Sequence, residues 1–295
     1  MNTYQFKISD KLRDPFLFEE ILSAQNEIQT GSGVLNMEEV SFVEPYSMLA
    51  LLLLGRDYLR STGSRIELVN IRLPVHQYLN RMDFFKTNLF ALQTELNPKY
   101  ALNRKSFSTR VIEVIEIPGK ERESLAVINS VIALFRKRAS YILKYWMSES
   151  SVDDFVTVIS ELCQNIFEHS MDSGYLAMQT YTYGKENIFR LAIADSGVGI
   201  KESFAESKND LPYATNADLI AAVLTKPVSS KRQFGFGLCQ VNDIAKKNRG
   251  SIFIRSGDAS VTALYRKEKS SSHPIFLKNN LPNFRGTQIS VSLFA

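Results

Sequence analysis

Hydrophobic and polar positions alternate with two different periods in the first hundred residues. Apolar residues follow the two-residue period of strands at 1–9, 39–43 and 65–71. Between these segments they follow the 3.6-residue period of helices, and Gly63 is placed to end the longest and most apolar helix. The helical segments are 14–28, 44–63 and 74–85. The order βαβαβα predicts a central sheet covered by helices, in a domain of residues 1–100.

Residues 101–150 have the pattern of a connecting strand and helix. Strand character extends over 107–117, Pro118 and Gly119 end the strand, and 121–146 is an amphipathic helix. Two roles fit this helix. It packs between domains or within a bundle, or it forms a dimer contact.

The segment 152–170 predicts an amphipathic helix that carries a column of polar residues. Its apolar residues recur at helical spacing and predict a face packed inward: Phe155, Val158, Ile159, Leu162 and Ile166. Glu161, Asn165 and His169 lie four residues apart and stack along a neighbouring face. Such a column is either a solvated surface row or the polar wall of a binding site.

Paired glycines follow this helix at two places. A two-stranded segment with a turn at Gly184 leads into DSGVG at 195–199, and FGFG at 234–237 precedes another helical segment. Glycine pairs are common in turns, so each pair alone is weak evidence for a site. The intervening stretch 200–234 is polar and reads as one structureless loop, and loops of that length in compact domains are usually functional.

The length and the amino-acid composition favour a folded protein of two domains. At 295 residues, with 44% hydrophobic and 22% charged residues, the chain is long enough for two folded domains. The N-terminus lacks the pattern of a secretion signal, and the longest apolar run, 48–54, is too short to span a bilayer. Two cysteines do not suggest a disulfide framework, so we expect a cytoplasmic protein without membrane association.

The charge pattern gives no support for nucleic-acid binding. The net charge is +4, and the Lys and Arg residues are spread along the chain instead of forming a block. We therefore expect a solvated surface with some local positive patch.

Residues 40–85 resemble the STAS domain of anti-anti-sigma factors. The shared features are a strand, a turn, an apolar helix, a second strand and a helix that ends in YLNRMDFF. In that family the turn often carries a phosphorylated serine, whereas here it reads EPYS at 44–47. We expect structural roles for Ser47 and for the nearby Ser41.

Residues 150–295 resemble the ATP-binding domain shared by gyrase, the large heat-shock chaperone, histidine kinases and mismatch-repair proteins, the GHKL superfamily. The polar column, DSGVG, FGFG and the final GTQISVSLF occur in the order of that family's four sequence boxes. The resemblance implies an α/β sandwich over 151–295 that holds ATP between helices and a mobile lid.

The resemblance assigns residues to the base and the metal. Asn165 matches a Mg²⁺ ligand, and a neutral amide oxygen suits a hard cation that also binds phosphate oxygens. Asp195 matches the carboxylate that accepts a hydrogen bond from the adenine amino group. Gly197 and Gly199 let the backbone pass close under the base, and Thr287 matches the threonine that holds a water beside adenine.

The resemblance also assigns residues to the phosphates. Gly235, Gly237 and Leu238 open a helix, so that backbone N–H groups and the positive end of the helix dipole face the phosphates. The stretch 200–234 is the expected lid. Lys231 or Arg232 is placed to neutralise the γ-phosphate when the lid closes, and the alternative is that both are solvated charges of the lid.

Glu161 is the expected catalytic residue. It precedes Asn165 by four residues, as in the gyrase, chaperone and anti-sigma-kinase branches, where the glutamate orients or deprotonates the attacking water or serine hydroxyl. His169 matches a histidine that lies near the phosphates and is not a phospho-acceptor. His76 and His273 lack the acidic neighbour of an acceptor histidine, so we do not expect a sensor histidine kinase.

Three functions fit this sequence. In the first, the protein hydrolyses ATP and couples lid closure to a partner or a dimer. In the second, it is a serine protein kinase of the anti-sigma type that acts on a STAS partner or on its own N-terminal half. In the third, it binds ATP as a switch without hydrolysis. Glu161 favours catalysis, and the turn at 44–47 disfavours a phospho-acceptor. We therefore expect a Mg²⁺-dependent ATP hydrolase with a protein partner or a homodimer.

Overall fold

The computed structural model divides the chain into two compact units, residues 1–108 and 109–295. The described residues are 6–8, 12, 15, 18–23, 28, 31, 33–92, 108–119, 125–169, 173–184, 186–206, 213–228, 237–265 and 275–294. Each unit has its own sheet.

The N-terminal unit contains a four-stranded parallel sheet. Its strands lie in chain order and are β1 (Phe6–Lys7), β2 (Val34–Asn36), β3 (Ile66–Val69) and β4 (Phe90–Leu92). The described connections contain α1 (Phe18–Ser23), α2 (Pro45–Thr62), α3 (Leu73–Arg81) and a short 3₁₀ helix (Phe84–Thr87). The predicted alternation of strands and helices is confirmed, and parallel pairing requires such crossover connections.

Helix α2 forms the centre of this unit. Gly63 ends it in the left-handed conformation (φ 72°) and donates its N–H to Leu59 O at 3.0 Å, as the sequence predicts. Residues 48–54 are all buried, so the apolar run packs on every side of the helix. A Cβ on Gly55 would lie 2.7 Å from Phe90 Cζ, so this glycine allows the helix to approach β4.

The second strand lies earlier in the chain than the sequence predicts. The prediction of a strand at 39–43 is wrong, because β2 pairs with β3 over Val34–Asn36. A turn closed by Val40 N–H donating to Met37 O at 3.0 Å then takes the chain away from the sheet. Val40 and Val43 lie in this connection and their side chains are buried. Their burial explains why the apolar pattern of 39–43 resembles that of a strand.

The C-terminal unit is built on a seven-stranded antiparallel sheet with the order β10-β9-β8-β11-β7-β6-β5. The strands are β5 (Val111–Ile117), β6 (Gly174–Tyr183), β7 (Glu186–Asp195), β8 (Ser251–Gly257), β9 (Ala259–Leu264), β10 (Ile275–Lys278) and β11 (Phe284–Phe294). The helices are α4 (Leu125–Leu143), α5 (Glu149–His169), α6 (Ile200–Glu206), α7 (Asn216–Thr225) and α8 (Gly237–Lys247). The predicted α/β fold class is confirmed.

The core of this unit lies between its helices and the sheet. The apolar face predicted on 152–170 is buried there, with Phe155 packing edge-on against Phe189 of β7 at a ring distance of 5.0 Å. Leu191 and Ile193 continue the same face of β7 into the core. Because strand side chains alternate between faces, this burial fixes the register of β7 against its neighbours.

Residues 101–150 supply a strand and a helix of the C-terminal unit. β5 pairs with β6 as an edge strand, and α4 places Phe135 and Ile142 in the core. Arg138 forms an ion pair with Glu113 at 2.9 Å, which ties α4 to β5. The segment that the sequence treats as a connection is therefore integrated into the sheet and its helical layer.

The stretch 200–234 contains α6 and α7, so the prediction of a structureless loop is wrong. Thr215 caps α7 by accepting a hydrogen bond from Asp218 N–H at 3.2 Å. The apolar residues of α7 pack inward and are Ala217, Leu219, Ile220, Ala222, Val223 and Leu224. The signal was present in the sequence as a capping threonine followed by helical apolar spacing.

Candidate functional site

The polar column of α5 faces the start of α8. Glu161 and Asn165 are partly exposed, whereas Leu162 and Ile166 beside them are buried. A Cβ placed on Gly237 would lie 3.6 Å from Asn165 Nδ2 and 3.6 Å from Glu161 Cδ. The structure thus brings a carboxylate, an amide and the first residue of α8 together.

The start of α8 adds hydrogen-bond donors to this junction. The first N–H groups of a helix have no partner inside the helix, and the helix dipole makes this end positive. A Cβ on Gly237 would also lie 3.3 Å from Leu162 Cδ2, so α8 approaches α5 closely at this glycine and a larger residue would require a small shift of Leu162. Leu238 packs against the core and fixes the first turn of α8. Such a helix start suits phosphate groups.

Asp195 ends strand β7 and is held by backbone donors. Gly197 N–H donates to Asp195 Oδ1 at 2.7 Å, and Thr287 N–H donates to the same carboxylate. Burial raises the pKa of Asp195 to about 6, while these two hydrogen bonds and the nearby Arg285 oppose the rise. A carboxylate has about four acceptor positions, so it retains capacity for a ligand's amino group.

The end of α5 packs against the strand pair that carries Asp195. Gly174 pairs with Asp195 across β6 and β7. A Cβ on Gly174 would lie 2.8 Å from Ile166 Cγ2 and 2.7 Å from Ala194 O. Because Ile166 directly follows Asn165, the last turns of α5 lie over the strand ends that carry Asp195.

Two glycines shape the loops that border Asp195. Gly199 (φ 88°) and Gly286 (φ 87°) have left-handed backbones that favour glycine. A Cβ on Gly286 would overlap Asp195 O, so the start of β11 touches the end of β7. Gly197 acts differently, because its φ is not positive and its contribution is the N–H that it donates to Asp195.

Sequence reasoning missed two residues near Asp195. Arg285 is exposed and donates from Nε to Gly197 O at 3.4 Å. Ser256 is buried on β8 opposite Thr287, with the two hydroxyl oxygens 3.3 Å apart. In the sequence, one feature could have indicated Arg285, namely its position directly before Gly286 and Thr287. No feature of the sequence could have indicated Ser256, because only the pairing of β8 with β11 brings it to the site.

The predicted site residues fall into two described groups. One lies at the junction of α5 and α8 and contains Glu161, Asn165, Gly237 and Leu238. The other lies at the ends of β7 and β11 and contains Asp195, Gly197, Gly199 and Thr287. Lys231, Gly235 and the side chain of His169 lie outside the described residues.

The donor set suits a nucleotide with a hard cation. The Asn165 amide oxygen can bind Mg²⁺, which usually takes its remaining ligands from phosphates and water. The part of the chain that the structure describes contains no group of three or more His, Cys, Asp or Glu residues arranged to hold a metal. Asp195 offers an acceptor for an amino group at the other end of the site.

The C-terminal half of the chain is similar to a known protein family. Residues 150–293 match the family described as histidine kinase-, DNA gyrase B-, and HSP90-like ATPases. This match supports the GHKL superfamily for the C-terminal half of the chain. No curated protein matches the chain.

GHKL domains bind ATP, generally together with Mg²⁺, and the match gives the C-terminal half of this chain an ATP-binding function. The match begins at 150, whereas β5 and α4 precede it and belong to the same compact unit. None of the helices that the structure describes is long and apolar enough to cross a membrane.

Proposed function

We propose that the protein is an ATP-binding regulatory protein whose GHKL domain hydrolyses ATP with Mg²⁺, coupled to lid closure and to switching of a partner or a dimer. The observation that best supports hydrolysis is the placement of Glu161 and Asn165 against Gly237. This junction combines a carboxylate, an amide oxygen and helix-start N–H groups. Phosphoryl transfer requires mainly such positioning and charge stabilisation.

On the base side, we assign adenine recognition to Asp195. Its carboxylate keeps acceptor capacity after binding two backbone N–H groups, and it accepts a hydrogen bond from the adenine amino group. Guanine presents a carbonyl at that position, so the same carboxylate disfavours guanine. Gly197 and Gly199 form the loop under the base, and Thr287 holds a water beside it.

On the phosphate side, Asn165 would hold Mg²⁺, and the start of α8 at Gly237 and Leu238 would hold the phosphates. We assign Gly235 to the phosphates from its sequence motif. When bound, ATP–Mg²⁺ would supply the bond from the γ-phosphorus to ADP that is broken and the metal charge that stabilises ADP as the leaving group. Glu161 orients a water and accepts its proton. We assign His169 and Lys231 to the phosphates as well.

For the N-terminal unit we propose a STAS-like adaptor that transmits the state of the ATP site to a partner. Ser47, the serine nearest to the acceptor position of that family, is fully buried in the first turn of α2. A buried hydroxyl is not available to a kinase, so its burial disfavours phosphorylation at Ser47.

The experiment is incubation of the protein with γ-labelled ATP and Mg²⁺. We expect free labelled phosphate from the wild type and a rate at least ~100-fold lower from Glu161→Gln, because the amide cannot accept a proton. ATP affinity should change little in this variant. Glu149→Gln is the matched control, since Glu149 is an exposed acid at the start of the same helix.

Other outcomes contradict hydrolysis in distinguishable ways. Label transferred to a serine supports a protein kinase. Tight ATP binding without release or transfer of label supports a switch without hydrolysis. Equal turnover in Glu161→Gln and in the wild type removes the catalytic assignment.

A further inference from the structure

Ser256 lies between the two loops that border Asp195. It stands near the end of β8, opposite Thr287 of β11. Its side chain is buried, with 1% of the residue exposed. Ser256 therefore acts through its neighbours and does not itself contact a ligand.

The Ser256 hydroxyl joins these loops through hydrogen bonds. It accepts one from Ile200 N–H at 2.9 Å, at the start of α6, and donates one to Gly286 O at 3.1 Å. A hydroxyl has one donor and two acceptor positions, so it can serve both loops at once. A Cβ on Gly199 would lie 2.9 Å from Ser256 Oγ, so glycine at 199 lets the loop close on the hydroxyl.

The backbone of Ser256 reaches a third element. Asn216, the first residue of α7, donates from Nδ2 to Ser256 O at 3.1 Å and to Asp258 Oδ1 at 2.9 Å. Ala217 N–H donates to Asn279 Oδ1 at 3.0 Å, which fixes the same end of α7. The starts of α6 and α7 and the start of β11 thus meet at one residue of β8.

We propose that Ser256 is a positioning residue of the ATP site, whose hydroxyl locks the turn at 199–200 to the turn at 286–287 and so fixes Asp195 for the adenine amino group. This inference rests on the adenine role proposed for Asp195. Both loops donate to its carboxylate, one through Gly197 N–H and the other through Thr287 N–H. Without the hydroxyl, Ile200 N–H and Gly286 O lose this shared partner, and the two donors are no longer held in register.

The test compares Ser256→Ala with the wild type by calorimetry, using adenosine and ATP–Mg²⁺ as ligands. We expect both affinities to fall by a similar factor, about 10-fold, because buried hydrogen bonds are lost on the base side. Asn165→Ala should weaken ATP–Mg²⁺ and leave adenosine unchanged. Ser256→Thr keeps a hydroxyl and should recover adenosine binding.

Ser260→Ala is the matched control for loss of a buried serine hydroxyl. Ser260 is buried on β9, and its pairing with Arg255 places it on the other face of the sheet from Ser256. We expect wild-type affinity for adenosine in this variant. If Ser256→Ala has a lower melting temperature but wild-type adenosine affinity on folded protein, the role is only structural and the inference is overturned.

A second variant keeps the test valid if Ser256→Ala does not fold. Ile200→Pro removes the N–H that binds Ser256 while keeping a residue suited to the first position of α6. Ile200→Ala controls for the lost side chain. Adenosine should bind more weakly to Ile200→Pro than to Ile200→Ala, and equal binding overturns the inference.

Asp195→Ala separates failure of this inference from failure of the proposed function. If Asp195→Ala loses adenosine but Ser256→Ala does not, the adenine site stands and the role of Ser256 is wrong. If Asp195→Ala and the wild type bind adenosine equally, the adenine assignment fails, and the inference drawn from it fails too.

Discussion

At Asp195, burial favours the neutral carboxyl group, whereas binding of an amino group favours the ionised one. A carboxyl that accepts a hydrogen bond from an amino group does so best when ionised, yet burial at the end of β7 raises the pKa of Asp195 to about 6. The N–H groups of Gly197 and Thr287 and the guanidinium of Arg285 favour the charged form. Asp195 is therefore ionised at neutral pH despite its surroundings.

This pKa predicts a stability change with pH. The folded pKa of about 6 is raised above the ordinary value of 3.8. Asp195 therefore contributes stability that is fully present below pH 3.8 and is lost as pH rises through about 6. Relative to Asp195→Asn, the wild type should lose about 2 kcal/mol of unfolding free energy between pH 4 and pH 7 without nucleotide. Urea unfolding at each pH measures the difference.

Adenosine binding provides the matching readout, since adenosine carries no titrating phosphate. Its affinity for the wild type should rise as pH increases through about 6, because the ionised carboxylate is the better acceptor. Asp195→Asn has no charge to gain and should show a flat profile. Parallel pH profiles in the two proteins would contradict the role of Asp195.

At the scale of elements, the start of strand β11 is shaped by an irregularity in its pairing. The register with β8 shifts between Phe284 and Thr287. Gly286 lies within this shift, in the left-handed conformation and against Asp195 O. The irregular strand start thereby directs Thr287 N–H toward the carboxylate of Asp195.

Gly286→Ala should therefore destabilise the domain strongly. The new Cβ overlaps the backbone of β7 and also strains a left-handed residue, for an expected loss of roughly 3 kcal/mol or more in unfolding free energy. Gly184→Ala is the control, because Gly184 has φ 61° and open space around its Cβ position. Its loss should be about 1 kcal/mol. Equal losses in chemical unfolding would show that the contact with Asp195 is not tight.

At the scale of the whole molecule, the compact unit that contains the ATPase domain is larger than the family match. The match covers 150–293, whereas the unit extends from 109 to 295. β5 continues the sheet beyond β6, and α4 contributes Phe135 and Ile142 to the shared core. A boundary at 150 therefore cuts through a packed core.

Expression of the C-terminal unit with two different starts tests this boundary. Residues 109–295 should fold and bind ATP with the affinity of the full chain. Residues 151–295 lack β5 and α4, which uncovers the edge of β6 and core residues, so we expect aggregation. Size-exclusion chromatography and calorimetry measure the two outcomes. A monomeric, ATP-binding 151–295 would contradict the larger unit.

The sequence by itself determined the features that depend on neighbouring residues. Helical spacing on α5 placed Glu161 and Asn165 on one face, and Gly63 marked the end of α2, because both effects act within a few residues. The order of the four boxes along the chain is also visible in the sequence alone, and the match over 150–293 supports the GHKL superfamily. The spacing around 216–225 also carried the α7 signal, but reading 200–234 as one loop overlooked it.

Only the tertiary structure decided which distant segments meet. Strand pairing placed Ser256 opposite Thr287, and the touching ends of β7 and β11 brought Arg285 near Asp195. Pairing also assigned β5 to the ATPase sheet and ended β2 before Val40. These outcomes depend on the packing and hydrogen bonding of segments far apart in the chain, which no local pattern of hydrophobic and polar residues encodes.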